Sequence, residues 1–70
     1  MADVYEDVPH ALLRRRVRDI ASGAEGELMA VVNEDVGAAG FERWVELAYI
    51  RLESGREITT AVDNIEAVGG

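Results

Sequence analysis

One histidine, seven arginines and fourteen carboxylates are the side chains of this 70-residue sequence with the most chemistry to offer. His10 has Asp7 and Glu6 three and four residues before it, a spacing that on a helix brings carboxylates near the imidazole. Di-metal bundles need two Glu-x-x-His units with further carboxylates, whereas here a single His follows an Asp. "NEDVG", residues 33 to 37, lacks the alternating oxygen ligands of a calcium loop. It reads as a solvated helix end. Cysteine is absent, which removes thiol nucleophiles, thiolate metal ligands and disulfides. The serines near glycine fall in cap positions, without the G-x-S-x-G pattern of a nucleophile elbow. Fourteen acidic residues always supply some close pair, so no carboxylate dyad stands out. A substrate cleft of roughly 300–1,000 Å³ would consume the core of so short a chain. The expectation is a protein that is not an enzyme, with no catalytic residue, no metal and no cofactor.

The arginines are the sharper feature. "HALLRRRVRD", residues 10 to 19, holds Arg14, Arg15, Arg16 and Arg18 and sums to +3 in a chain of net charge -7. On a helix at about 100° per residue, Arg14, Arg15 and Arg18 lie opposite Leu13, Val17 and Ile20, with Arg16 nearer the boundary. That face is a candidate for phosphate or for an acidic partner. Nucleic-acid binding needs reinforcement elsewhere, yet Arg43, Arg51 and Arg56 are interspersed with Glu42, Glu46, Glu53 and Glu57. The favoured reading is that the arginines pair with the acidic helices of their own chain or of a twin subunit, or simply stay solvated. Lysine is absent, so chemistry that depends on an amine has no residue to use.

The elements that must carry these residues read as helices. Residues 1–6 form a flexible arm, 7–68 a single helical domain, and 69–70 a frayed end. Helix one starts at Asp7 as N-cap and carries Leu13, Val17 and Ile20 at i, i+4, i+7 to about Ala21. Ser22 and Glu25 fit a capping box. They open a second helix with Leu28, Val31, Val32 and Val36 inward, which stops in the glycines of residues 37–40. Helix three carries Phe41, Trp44, Val45, Ala48 and Leu52 on one face and Leu47 and Ile50 round the cylinder, so it needs more than one neighbour. Ser54 and Glu57 offer a second capping box, followed by Ile58, Ala61, Val62 and Ile65. The competing reading makes residues 48–62 a β-hairpin about Ser54-Gly55, with Leu52 set against Ile58 or Glu57.

The fold class expected is therefore all-α, a small bundle of three to four short helices. A chain this short buries only about 60% of its unfolded surface. With no disulfide, pairing as a homodimer is the expected staple. Phe41, Trp44, Leu47 and Ile50 are the expected dimer or partner interface. No apolar run approaches the roughly 20 residues of a membrane span, and no signal-peptide pattern is visible, so the expected address is the cytoplasm. Functionally the sequence reads as a small acidic, non-enzymatic interaction module, a regulator or inhibitor that acts by binding a partner protein. The alternative is a small DNA-binding regulator that reads through the arginine-rich face of helix one.

Overall fold

The computed structural model describes residues 5–37 and 40–69, and it is a β-structure. The expected all-α bundle is overturned: among the described residues there is no α-helix, and the domain expected to be helical over 7–68 is built on a six-stranded antiparallel sheet. The strands are β1 (Tyr5–Asp7), β2 (Arg16–Asp19), β3 (Glu25–Asp35), β4 (Trp44–Leu52), β5 (Glu57–Ala61) and β6 (Ile65–Ala67), with a 3₁₀ turn at Val62–Asn64. Their order is β5-β4-β3-β2-β6, and β1 pairs with β3 beside β2. Tyr5 and Glu6, expected in the arm, pair with Glu34 and Asn33. Residues 1–4 of that arm and Gly70 of the expected frayed end lie outside the described residues.

The long β3 is the spine of the sheet. Glu25–Glu27 pairs with β2, Val32–Glu34 pairs with β1, and nearly the whole strand pairs with β4 along its other side. A register shift between Leu28 and Ala30 inserts Met29 as a bulge, and such an insertion bends a strand and increases its twist. Gly26 helps at the same end: a Cβ there would strike the Arg51 carbonyl oxygen of β4 and lie 3.0 Å from Ile50 Cγ2. The sheet consequently curls. Thr60 of β5 donates a 3.0 Å hydrogen bond to Asp19 of β2, although β4 and β3 lie between them in the sheet order.

Val17, Leu28, Val31, Ala48 and Ile50 fill the inside of the curl, and Val8, Leu12, Leu13, Leu52, Ile58, Val62 and Ile65 pack against them. Leu12 and Leu13 arrive from a turn, where Leu13 N donates to His10 O and Arg15 N to Leu12 O. The two Ser-Gly steps are hairpin turns. Gly23 (φ +78°) closes β2–β3 and Gly55 (φ +90°) closes β4–β5. In the second turn, Gly55 N donates to Leu52 O and Leu52 N to Arg56 O, which makes a three-residue loop and sets Ile50 against Ile58. A hairpin thus pairs residues 47–51 with 57–61, Val62 already belonging to the 3₁₀ turn, and its register is neither of the two expected, which set Leu52 against Ile58 or Glu57.

Candidate functional site

The site expected at Phe41, Trp44, Leu47 and Ile50 is divided by the strand that carries most of it. Successive β4 side chains point to opposite faces. Ile50 is fully buried in the core and Leu47 is half-buried against Ala61 and Val32 of the neighbouring strands. Phe41 and Trp44 are 78% and 44% exposed, at the far end of the β3–β4 hairpin. Val36 joins them there at 49% exposure. Three large apolar side chains are thus held in water at one hairpin tip.

Asp35 organises that tip. Its Oδ1 accepts from Gly37 N at 2.9 Å and from Arg43 N at 3.0 Å, across the loop from each other. Those two backbone donors, Arg43 first, hold the carboxyl below the usual aspartate range, against a smaller opposing effect of desolvation. Val36 N donates to Arg43 O at 2.8 Å and completes the ladder. A Cβ at Gly37 would collide with the Phe41 carbonyl oxygen and lie 2.9 Å from Arg43 N, so this closure demands glycine. Trp44 Nε1 donates to Glu42 Oε2 at 3.3 Å, which ties the indole to a carboxylate at the loop exit. Asp35 and Gly37 form the Asp-x-Gly of a turn, where a solvated helix end was expected.

The arginine face expected on helix one does not exist, because its residues lie in a turn and a strand. Arg14 (φ +67°) and Arg15 belong to the turn before β2, whereas Arg16 and Arg18 alternate with inward-facing Val17 and Asp19. Arg16, rather than Arg14 or Arg15, shares a strand face with Arg18. Arg16 lies 3.5 Å from Glu25 and 3.2 Å from Glu53; Arg18 lies 3.0 Å from Glu66 and 3.9 Å from Glu25. Arg14 approaches Glu27 at 3.7 Å, and Arg51 meets Glu57 at 3.0 Å. Arg15 makes no ion pair among the described residues. The DNA-reading alternative therefore loses both its helix and most of its uncompensated charge.

Asp19 is the one buried charged residue among those described, at 7% exposure. Its Oδ2 accepts from Ser22 Oγ at 2.6 Å and Ser22 N at 3.3 Å, and its Oδ1 from Thr60 Oγ1. The Ser22 hydroxyl is the main cause of a lowered pKa, opposed by burial and reinforced by Thr60 and by the backbone of Ser22 and Ala21. With all these bonds inside the fold, Asp19 is a structural clasp between β2 and β5. His10 is likewise used locally, its Nδ1 accepting from Leu12 N at 3.1 Å. Among the described residues no three His, Asp or Glu side chains converge on a metal position.

The ion pairs also reveal where the net charge resides. At the end of the sheet that holds β2, the β4–β5 turn and the adjoining part of β3, Arg14, Arg15, Arg16, Arg18, Arg51 and Arg56 are matched in number by Asp19, Glu25, Glu27, Glu53, Glu57 and Glu66. The other end combines β1, the distal hairpin and the 3₁₀ turn. It carries Glu6, Asp7, Glu34, Asp35, Glu42, Glu46 and Asp63 against Arg43 alone. Every unbalanced charge of the described residues is therefore on the half that bears Val36, Phe41 and Trp44. The chain matches no protein-family model, no curated protein and no solved structure.

Proposed function

We propose that this protein is a non-enzymatic interaction module that presents its acidic hairpin half, tipped by Phe41 and Trp44, to a basic surface of a partner protein. What carries the reading is the coincidence of two otherwise unrelated features at one end of the molecule. One is the group Val36, Phe41 and Trp44, three of the four exposed large apolar side chains among the described residues, the fourth being Ile20 at the other end, and the other is the uncompensated negative charge of the described residues. Aromatic anchors supply most of the energy at protein interfaces, and charge of one sign selects the partner and accelerates encounter. A regulator or inhibitor built this way acts by occupying its partner's cationic surface.

A second copy of the chain is the competing occupant of the tip. Like charge opposes that pairing, since each copy would bring the same acidic end to a two-fold contact. Polyanions are opposed by the same charge.

The test uses a nine-arginine peptide titrated calorimetrically into the full chain at low salt, with a short DNA duplex in parallel. The expected result is saturable peptide binding that weakens with salt and no heat from DNA. Trp44→Ala should weaken binding about thirtyfold, the equivalent of a hot-spot loss of about 2 kcal/mol. Peptide binding that is unaffected by Trp44→Ala and Phe41→Ala, or binding to the duplex instead, would overturn the reading.

A further inference from the structure

The sheet face opposite the core carries a trough of about 410 Å³. Its floor is Met29, Ala30 and Val32 of β3 with Tyr49 of β4, and Asp7 of β1 and Glu34 of β3 stand at its margin. Glu57 reaches its far end but is already held by Arg51 at 3.0 Å. The Tyr49 hydroxyl donates to Glu34 Oε1 at 3.2 Å, which orients that carboxylate beside the apolar floor. A smaller recess of about 300 Å³ shares Asp7, Met29 and Ala30 and continues past Val8, Leu13, Val31 and Arg14, whose Nη1 lies 3.7 Å from Met29 Sδ and which also pairs with Glu27 at 3.7 Å.

We infer that this trough seats an arginine or lysine side chain from an extended segment of the basic partner, with Asp7 and Glu34 as its charge contacts. The inference rests on the proposed acidic-half docking and adds the place where a cation is received. The chemistry of the lining selects this occupant. An anion meets two carboxylates. A neutral apolar ligand would strip water from Asp7 and Glu34 and return no partner, at a cost that polar desolvation makes prohibitive. A long cationic side chain satisfies both parts, laying its methylenes on Met29, Ala30 and Val32 while its head group reaches the carboxylates. The recess beyond Asp7 offers an apolar neighbour in the same segment the partly buried Val8 and Leu13 and the methylene stem of Arg14, whose head group is turned to Glu27.

The test follows backbone amide shifts of the isotope-labelled full chain during titration with a Leu-Arg-Leu peptide and, separately, with nine-arginine. The expected result is saturable shifts centred on Ala30, Val32 and Glu34 with both probes. Affinity should fall about tenfold in Asp7→Asn/Glu34→Gln, the equivalent of two exposed ion pairs of about 0.7 kcal/mol each. Both substitutions are nearly isosteric, and glutamine keeps an acceptor for the Tyr49 hydroxyl. Unchanged affinity of this variant for both probes would overturn the trough. If nine-arginine binding then still depended on Trp44, the acidic-half reading would stand without it. Binding of neither probe would remove both.

Discussion

Gly26→Ala is a perturbation whose sign separates the two folds this sequence invites. In the helical reading Gly26 lies in the first turn of a helix, where alanine is better by about 1 kcal/mol. In the sheet it lies where β3 is clamped between Val17 of β2 and Leu52 of β4. The new methyl would overlap the Arg51 carbonyl oxygen and lie 2.8 Å from the carbonyl carbon and 3.0 Å from Ile50 Cγ2. The first two obstacles are backbone of a paired strand, so relief requires opening the β3–β4 ladder. Overpacking of that severity costs about 3 kcal/mol, offset by up to about 1 kcal/mol from the stiffer unfolded chain. Unfolding entropy of about 2.1 cal/mol/K per residue makes 1 kcal/mol worth about 7 °C in a chain of this length. The expected change is therefore a fall of about 15–20 °C in Tm, read by thermal denaturation with circular dichroism. Gly23→Ala is the control, since nothing lies within 4 Å of its Cβ and only φ +78° opposes it. That variant should lose about 7 °C, from about 1 kcal/mol of left-handed strain. A Gly26→Ala protein as stable as the parent, or more stable, refutes the sheet argument.

Two further outcomes follow from burial and from the Asp19 clasp. Ile50→Ala should cost about 3 kcal/mol because its side chain is fully buried, whereas Phe41→Ala should stay within about 0.5 kcal/mol; equal losses in urea denaturation would place Phe41 in a core. Asp19 has a folded pKa below its unfolded one, so its stabilisation is complete above the ordinary aspartate range near pH 4 and is lost as pH falls through the folded value. Thr60→Val removes one donor to that carboxylate, so its deficit in Tm should be present at pH 7 and shrink by pH 2. A deficit that does not vary with pH would show that Thr60 acts through packing alone.

The positions of the chain breaks were legible, but their meaning was not. Ser22-Gly23 and Ser54-Gly55 do stand where elements end, after β2 and after β4. A glycine in the left-handed region both terminates helices and closes hairpins, so it does not say which. Nor did Ser22 cap a helix: its hydroxyl donates to Asp19 across the β2–β3 turn. β4 misled for a different reason. Its core-facing Ala48 and Ile50 alternate with half-buried Val45, Leu47 and Tyr49 on the other face, so its apolar residues fill two faces and imitate a helix packed all round. The stripe Leu13, Val17, Ile20 was coincidental, since Val17 is fully buried and Ile20 is 54% exposed. Better signals were present in the period-two alternation of "RVRD" and in the β-branched run Ile58-Thr59-Thr60. Of the candidate site, the exposed Phe41 and Trp44 were legible as residue types. Asp7, Glu34 and Tyr49 were not, because only the sheet register brings β1, β3 and β4 to one trough.

The segregation of charge has a kinetic meaning as well as a chemical one. The molecule measures 43 × 21 × 21 Å, with a neutral end and an anionic end, so it carries a permanent dipole. In the field of a cationic surface it experiences a torque before any contact forms, and it turns its hairpin forward during approach. Orientation is ordinarily the step that reduces association far below the diffusion limit. A rod that aligns itself in flight recovers part of that loss, an advantage greatest at low ionic strength and much reduced at physiological salt, where the field decays over about 8 Å.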